Sequence, residues 1–204
     1  MTFYAVLTGQ LEHASDLTPD GLSDVMTDLH LASEMMAGWT QGHITSFARR
    51  GGGGWQIVLN RPRLALRATL YCCAVVQRRG HAAATRIAVA DGDGTLPPER
   101  DPNAGHGPVF MASIRALETM APKTRLCHAA GGPDAAIYRL AGAICARWTA
   151  AQARAVAEML PLPRATQAAA ASRLGITRAA VQQALAGADY RALIAAIGHM
   201  EAWA

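Results

Sequence analysis

The sequence predicts an α+β domain followed by an all-α module, and three observations carry that reading. Over residues 1–146, short β-prone apolar runs alternate with stretches of helical periodicity. From Arg147 onward the chain turns alanine-rich and helical, broken only at Pro161-Leu162-Pro163, Gly175 and Gly187. The charge also shifts: residues 147–204 hold six arginines (147, 154, 164, 173, 178 and 191) against Glu158, Asp189 and Glu201, a net +3 of the whole chain's +4.

The elements follow in order. Phe3 to Leu7 is an apolar run closed by Gly9, a buried strand. Thr18-Pro19-Asp20 is a helix start, with threonine at the cap and proline in the first turn. Leu22, Val25, Met26, Leu29 and Met36 then recur at helical spacing until Gly38. His43 to Ala48 and Trp55 to Leu59 flank Arg49-Arg50-Gly51-Gly52-Gly53-Gly54 and predict a hairpin with a glycine turn. Asn60-Arg61-Pro62 opens a second helix, with Leu64, Ala68, Tyr71, Cys72 and Val75 on one stripe until Gly80. Thr85 to Ala90 is a third core strand, and Asp91 to Gly107 a long glycine- and proline-rich loop. Phe110, Ile114 and Leu117 mark a helix ended by Pro122, Arg125 to Ala129 a short strand, and Ile137, Leu140, Ala141 and Ile144 another helix. The order β-α-β-β-α-β-α is the split βαβ, ferredoxin-like arrangement: an antiparallel sheet with helices on one face.

Composition excludes several classes. At 51% hydrophobic and 17% charged residues, the chain can bury a core and is not disordered. The longest apolar run, Leu64 to Val76, is broken by Arg67, so no membrane span or membrane partner is expected, and the start of the chain lacks a secretory pattern. Cys72, Cys73, Cys127 and Cys145 form no CxxC pair and read as buried reduced thiols, which places the protein in the cytoplasm. The seven histidines show no paired ligand spacing, so neither metal nor cofactor is expected. Asp91-Gly92-Asp93-Gly94 resembles the start of a calcium loop but lacks the downstream glutamate, and a glycine turn is the better reading. Gly51 to Gly54 lacks the Gly-Lys-Ser/Thr of a phosphate loop. Arg49-Arg50 and Arg78-Arg79 read as solvated surface charge.

The most specific motif spans Thr166 to Leu185 and has the spacing of a DNA-binding helix-turn-helix. Thr166 and Thr177 are placed to cap the two helices. Ala171 is small where the helices cross, and Gly175 can take the positive φ that ends the first. Leu174, Ile176, Val181 and Leu185 are apolar where the pair would pack. The second helix is left with Arg178, Gln182 and Gln183 facing outward, residue types that read guanine and adenine edges. Thr166, Gln167, Arg173 and Thr177 suit phosphate oxygens. The competing reading is an ordinary helical hairpin with a polar outer face. In the terminal helix, Tyr190, Leu193, Ile194, Ile197, Met200 and Trp203 form an apolar stripe that closes the module's core or supplies a dimer surface.

With both parts placed, the chain resembles the SatD family, which joins a nucleotidyl-cyclase-like domain to a C-terminal helix-turn-helix. The resemblance rests on Tyr4 to Gln10, Gly52-Gly53-Gly54-Trp55-Gln56, Arg86 to Gly92, Gly107 to Glu118 and Thr166 to Leu185, in that order along the chain. It implies domains at 1–146 and 147–204. In catalytic cyclases of this fold, acids on the first strand and in the hairpin hold magnesium. Here those positions are Gln10, Gly53 and Gly54, which cannot supply carboxylate oxygens, so the resemblance implies a non-catalytic scaffold and no enzyme activity.

The function expected is that of a transcriptional regulator, with double-stranded DNA as partner and a homodimer to cover two half-sites. The first domain would serve sensing or assembly. Two other readings stand beside it. One is a sensor or enzyme taking a small nucleotide effector in a cleft formed by Gly9, Gln10, Gly53, Gly54 and Gln56. The other is an adaptor whose helical module binds protein.

Overall fold

A computed structural model describes residues 2–80 and 84–203, the side chain of Trp203 excepted. Its elements are β1 (Thr2–Glu12), α1 (Pro19–Ala37), β2 (Thr45–Arg50), β3 (Gly54–Leu59), α2 (Ala65–Gln77), β4 (Ala84–Gly94), α3 (Pro108–Glu118), β5 (Leu126–His128), α4 (Gly132–Cys145), α5 (Ala150–Met159), α6 (Gln167–Leu174), α7 (Arg178–Gly187) and α8 (Tyr190–Trp203). The fold is α+β, with a five-stranded sheet in the order β2-β3-β1-β4-β5. No helix among the described residues is long and apolar enough to cross a membrane.

Two expectations about the sheet are corrected. It is mixed rather than antiparallel, because β5 runs parallel to β4, pairing Ile87 with Leu126 and Val89 with His128. Helices cover both faces rather than one. On one face α1 and α2 bury Ala5, Leu7, Ile57, Leu59, Ile87 and Val89; on the other α3 lays Val109 and Phe110 over Val6, Val58 and Ala90. The odd and even residues of β1 thus feed two separate cores, as the period of a strand demands.

The glycines after Ala90 lie in a strand, not a turn. β4 continues through Asp91, Gly92, Asp93 and Gly94, paired with Ala5, Tyr4, Phe3 and Thr2 of β1. A Cβ on Gly94 would lie 2.9 Å from side-chain atoms of both Val109 and Phe110, so a glycine here lets α3 seat on the sheet. The loop before α3 is correspondingly shorter. It folds on itself through a Thr95–His106 bridge.

The expectation of a single apolar stripe on α2 is also corrected. A 3-10 turn at Pro62–Leu64 leads into the helix, and all thirteen of its residues are buried. The reason lies behind it. α5 and α8 pack on the side of α2 turned away from the sheet, and one hydrophobic core runs from β1 through α2 to Val156, Leu193 and Ile197. Helices that are buried all round lack a polar face. Arg67 is the charged residue of α2, beside the polar Thr69 and Gln77. Only 4% exposed, it donates from Nε and Nη2 to the two carboxylate oxygens of Glu201 at 2.6 and 3.0 Å, and from Nη1 to the Leu160 carbonyl at 2.9 Å.

Arg78 and Arg79 are not merely solvated. Both pair with Asp28 of α1, at 3.3 and 2.7 Å, and Arg79 also reaches Asp24. Burial alone would raise the Asp28 carboxyl; the hydrogen bonds and charges of the two arginines outweigh it and hold the group below its usual range.

Glu201→Ala should lower the free energy of urea unfolding by about 3–5 kcal/mol, because it strands a buried guanidinium. Arg147→Ala removes an exposed pair with Asp189 and should cost under about 1 kcal/mol. Equal midpoints for the two variants would contradict the role given to Arg67.

Candidate nucleic-acid interface and ligand cleft

Helices α5, α6 and α7 pack together, and local chemistry sets each boundary. Thr149 opens α5 with a capping box: its hydroxyl accepts from the Gln152 N–H while the Gln152 side chain accepts from the Thr149 N–H. The Thr166 hydroxyl accepts from the Ala169 N–H and the Thr177 hydroxyl from the Ala180 N–H, both at 3.1 Å. Each hydroxyl keeps its own proton free to donate. Gly175 takes φ +65° and ends α6, and the Ile176 N–H closes the turn on the Ala171 carbonyl at 3.1 Å. Ala170, Ala171, Val181 and Leu185 are buried between the helices.

Ile176 departs from its expected inward place and is 44% exposed. It sits in the turn, where the chain leaves the left-handed glycine, and Leu174 and Ala184 supply the neighbouring apolar contact instead. On the outer side of α7, Arg178, Gln182 and Gln183 are exposed together, and Gln167 is half-buried at the start of α6. Arg173 is engaged within the chain: its Nε donates to Glu158 of α5.

The acids of this segment are spent internally. Glu158 pairs with Arg173, Asp189 with Arg147 and Glu201 with Arg67. Among the described residues, Arg154, Arg164, Arg178 and Arg191 have no carboxylate partner and are exposed. The uncompensated charge of the module is therefore arginine, and Arg178 stands at the head of α7.

α8 closes the C-terminal end of the core shared with α2. Leu193 and Ile197 are buried, the Tyr190 hydroxyl donates to the Met159 carbonyl at 2.8 Å, and Trp148 Nε1 donates to the Ala188 carbonyl at 3.0 Å. The side chain of Trp203, expected on the same stripe, lies outside the described residues.

Around the glycine hairpin, the five expected cleft residues divide into two groups. Gly9 stands opposite Trp55 in the β1–β3 ladder, and a Cβ there would lie 2.1 Å from the indole, which is itself fully buried. Gln10 Nε2 donates to the Gly52 carbonyl at 2.6 Å, and the Leu11 N–H to the Gly53 carbonyl at 3.0 Å, so the glycine turn is folded onto β1. A Cβ on Gly53 would meet Ala14 at 2.6 Å, and one on Gly54 would meet Arg50 and the Gly51 carbonyl. These four residues brace the hairpin. Gln56 differs: it is fully buried, donates to the Thr8 hydroxyl at 2.9 Å, accepts from Arg50, and lines a cavity of about 210 Å³ with Asn103, His106 and Phe110. The Thr8 hydroxyl lies 2.8 Å from that of Ser113 on α3, and Ser113 donates to the Phe110 carbonyl. Sequence reasoning missed this Thr8–Gln56–Ser113 chain, because no spacing rule links residues 105 positions apart.

Gly9→Ala should destabilise the protein by about 1–3 kcal/mol or more, since the methyl group displaces a packed indole. Gly51→Ala, where a Cβ meets nothing within 4 Å, should leave the thermal midpoint close to that of the parent.

No protein-family model matches the chain, and no curated protein is significantly similar to it.

Proposed function

We propose that the protein binds double-stranded DNA through α6 and α7, a helix-turn-helix in which α7 is the reading helix, and that it acts as a transcriptional regulator. The observation that carries this reading is the outer face of α7. Arg178 in the first turn and Gln182 and Gln183 in the next are exposed on a helix anchored by Val181 and Leu185. Arginine pairs with guanine O6 and N7, and glutamine with adenine N6 and N7. The free hydroxyl protons of Thr166 and Thr177, with unpaired Arg164, suit flanking phosphates. Strand order 4-1-3-2 over the first four strands, with α1 and α2 on one face, supports reading the first domain as ferredoxin-like and related to the SatD scaffold. That domain then serves assembly or sensing, and a homodimer would present two reading helices to two half-sites.

The test is selection of preferred duplexes from a random pool, followed by fluorescence anisotropy at fixed salt. Arg178→Ala should weaken binding to the preferred site by about 1–3 kcal/mol and leave non-specific duplex little changed. Arg164→Ala should weaken all duplexes alike and reduce the slope of log K against log salt by about 1. Unchanged binding by a folded Arg178→Ala/Gln182→Ala variant would remove α7 as the reader and favour a protein-binding adaptor.

A further inference from the structure

Outside the β5 edge of the sheet, between α3 and α4, lies an open cavity of about 570 Å³, the size of small-molecule sites in general. It is distant in character from the glycine hairpin and from α7, and neither reading above uses it. Its walls carry Arg115 from α3 and Arg139 from α4, both exposed and, among the described residues, without a carboxylate partner. Thr119, Thr124, Cys127 and His128 complete its polar lining, and among the described residues no carboxylate lines it.

Two further features distinguish it from a surface dent. Thr124 is 6% exposed, and its buried hydroxyl has no hydrogen-bond partner among the described residues. A buried hydroxyl without a partner is costly, and a ligand oxygen would relieve it. Second, carbonyls in the turn after α3 are already engaged: Arg86 donates to the Met120, Ala121 and Thr124 carbonyls, in residues that line the cavity. Arg86 and Arg139 both lie near enough to Cys127 to favour its thiolate, although burial dominates and pushes the thiol above its usual range. The cations on the cavity walls are thus Arg115 and Arg139, while His128 pairs with Asp91 at 3.4 Å.

We propose that this cavity is a binding site for a small molecule bearing a phosphoryl group, with Arg115 and Arg139 clasping the anion and the Thr124 hydroxyl donating to it. Two guanidiniums on separate helices offer charge-assisted bonds to a tetrahedral anion that water can match only in part. The proposal does not depend on DNA binding.

Cys127 provides the readout, because it is half-buried in the cavity while Cys72, Cys73 and Cys145 are buried. Alkylation of Cys127 by iodoacetamide at alkaline pH, followed by mass spectrometry of the full chain, measures access to the site. Pyrophosphate or AMP should slow the reaction saturably by about fivefold or more, and adenosine should not, since the arginine–phosphate bonds supply the affinity. Protection by AMP alone assigns the site to nucleotides, and protection by both assigns it to the phosphoryl group itself. Arg115→Gln and Arg139→Gln, separately, should each raise the protecting concentration about tenfold, one lost charge-assisted bond apiece, with thermal midpoints near the parent's. Absence of protection by both anions, equal protection by adenosine, or undiminished protection in both variants would overturn the proposal.

Discussion

The burial of α2 on every side is the constraint from which the architecture follows. A helix lying on a sheet ordinarily spares one face for water, and the residues from Ala65 to Gln77 spare none. Something apolar must cover the far side, and the alanine-rich C-terminal helices do so. Arg67 makes that covering specific. A guanidinium in such a place costs more in lost hydration than a single ion pair returns, unless the pair has good geometry and further hydrogen bonds support it. Glu201 and the Leu160 carbonyl meet three of the Arg67 donors, from two different parts of the helical segment. Any other docking of α8 would leave the cation buried and unmatched, so the charge selects one arrangement among the many that an alanine-rich surface would tolerate.

The same economy governs the second face of the sheet. Among the described residues, Val6, Val58, Ala90, Val109 and Phe110 are the buried apolar side chains of this core, with Tyr4, Leu96 and Ala112 packed at its edge. Beside it, Thr8, Gln56 and Ser113 are buried and bonded in a chain, so that polar groups fix the lateral position of α3 where apolar contact is scarce. Gly94, where a Cβ would crowd Val109 and Phe110, lets the helix approach. The long β1–β4 ladder can therefore remain paired over eleven residues and still carry a helix directly on its backbone.

Much of this was legible in the sequence, and what was not has a physical pattern. Thr18-Pro19 starts α1 and Gly175 ends α6 because capping chemistry is local, set by one side chain and its neighbours within a turn. The order of the first four strands and two helices was legible for the same reason, through period and turn residues. The illegible features depend on partners far along the chain. Asp91 to Gly94 carries the composition of a turn, yet β1 pairs with all of it, and nothing local distinguishes a glycine that bends the chain from one that admits Phe110. Arg67 looks like an interruption of an apolar run until Glu201, 134 residues later, is placed beside it. At the hairpin, Gly9, Gln10, Gly53 and Gly54 have the composition of a cradle, but Trp55 and Ala14 occupy the space that a ligand would need near Gly9 and Gly53.

Charge in the helical segment ties these constraints to function. Its three acids are each committed within the chain: Glu201 to the seam with α2, Asp189 to Arg147, and Glu158 to the α5–α6 contact. Neutralising pairs at the seam and between helices hold the segment together, and the arginines left over stand on its outside. Had Glu158 lain beside Arg178 instead, the same net charge would put a carboxylate at the head of α7, where it would repel a phosphate backbone about as strongly as the arginine attracts it. On the proposed reading, the placement of the acids matters as much as the number of arginines. It also joins the two halves of the chain mechanically. Because α8 is clasped to α2 through Arg67, a ligand that shifted α2 relative to the sheet would have to move the helices that present α7, and the coupling would run through a buried ion pair that has only one satisfied arrangement.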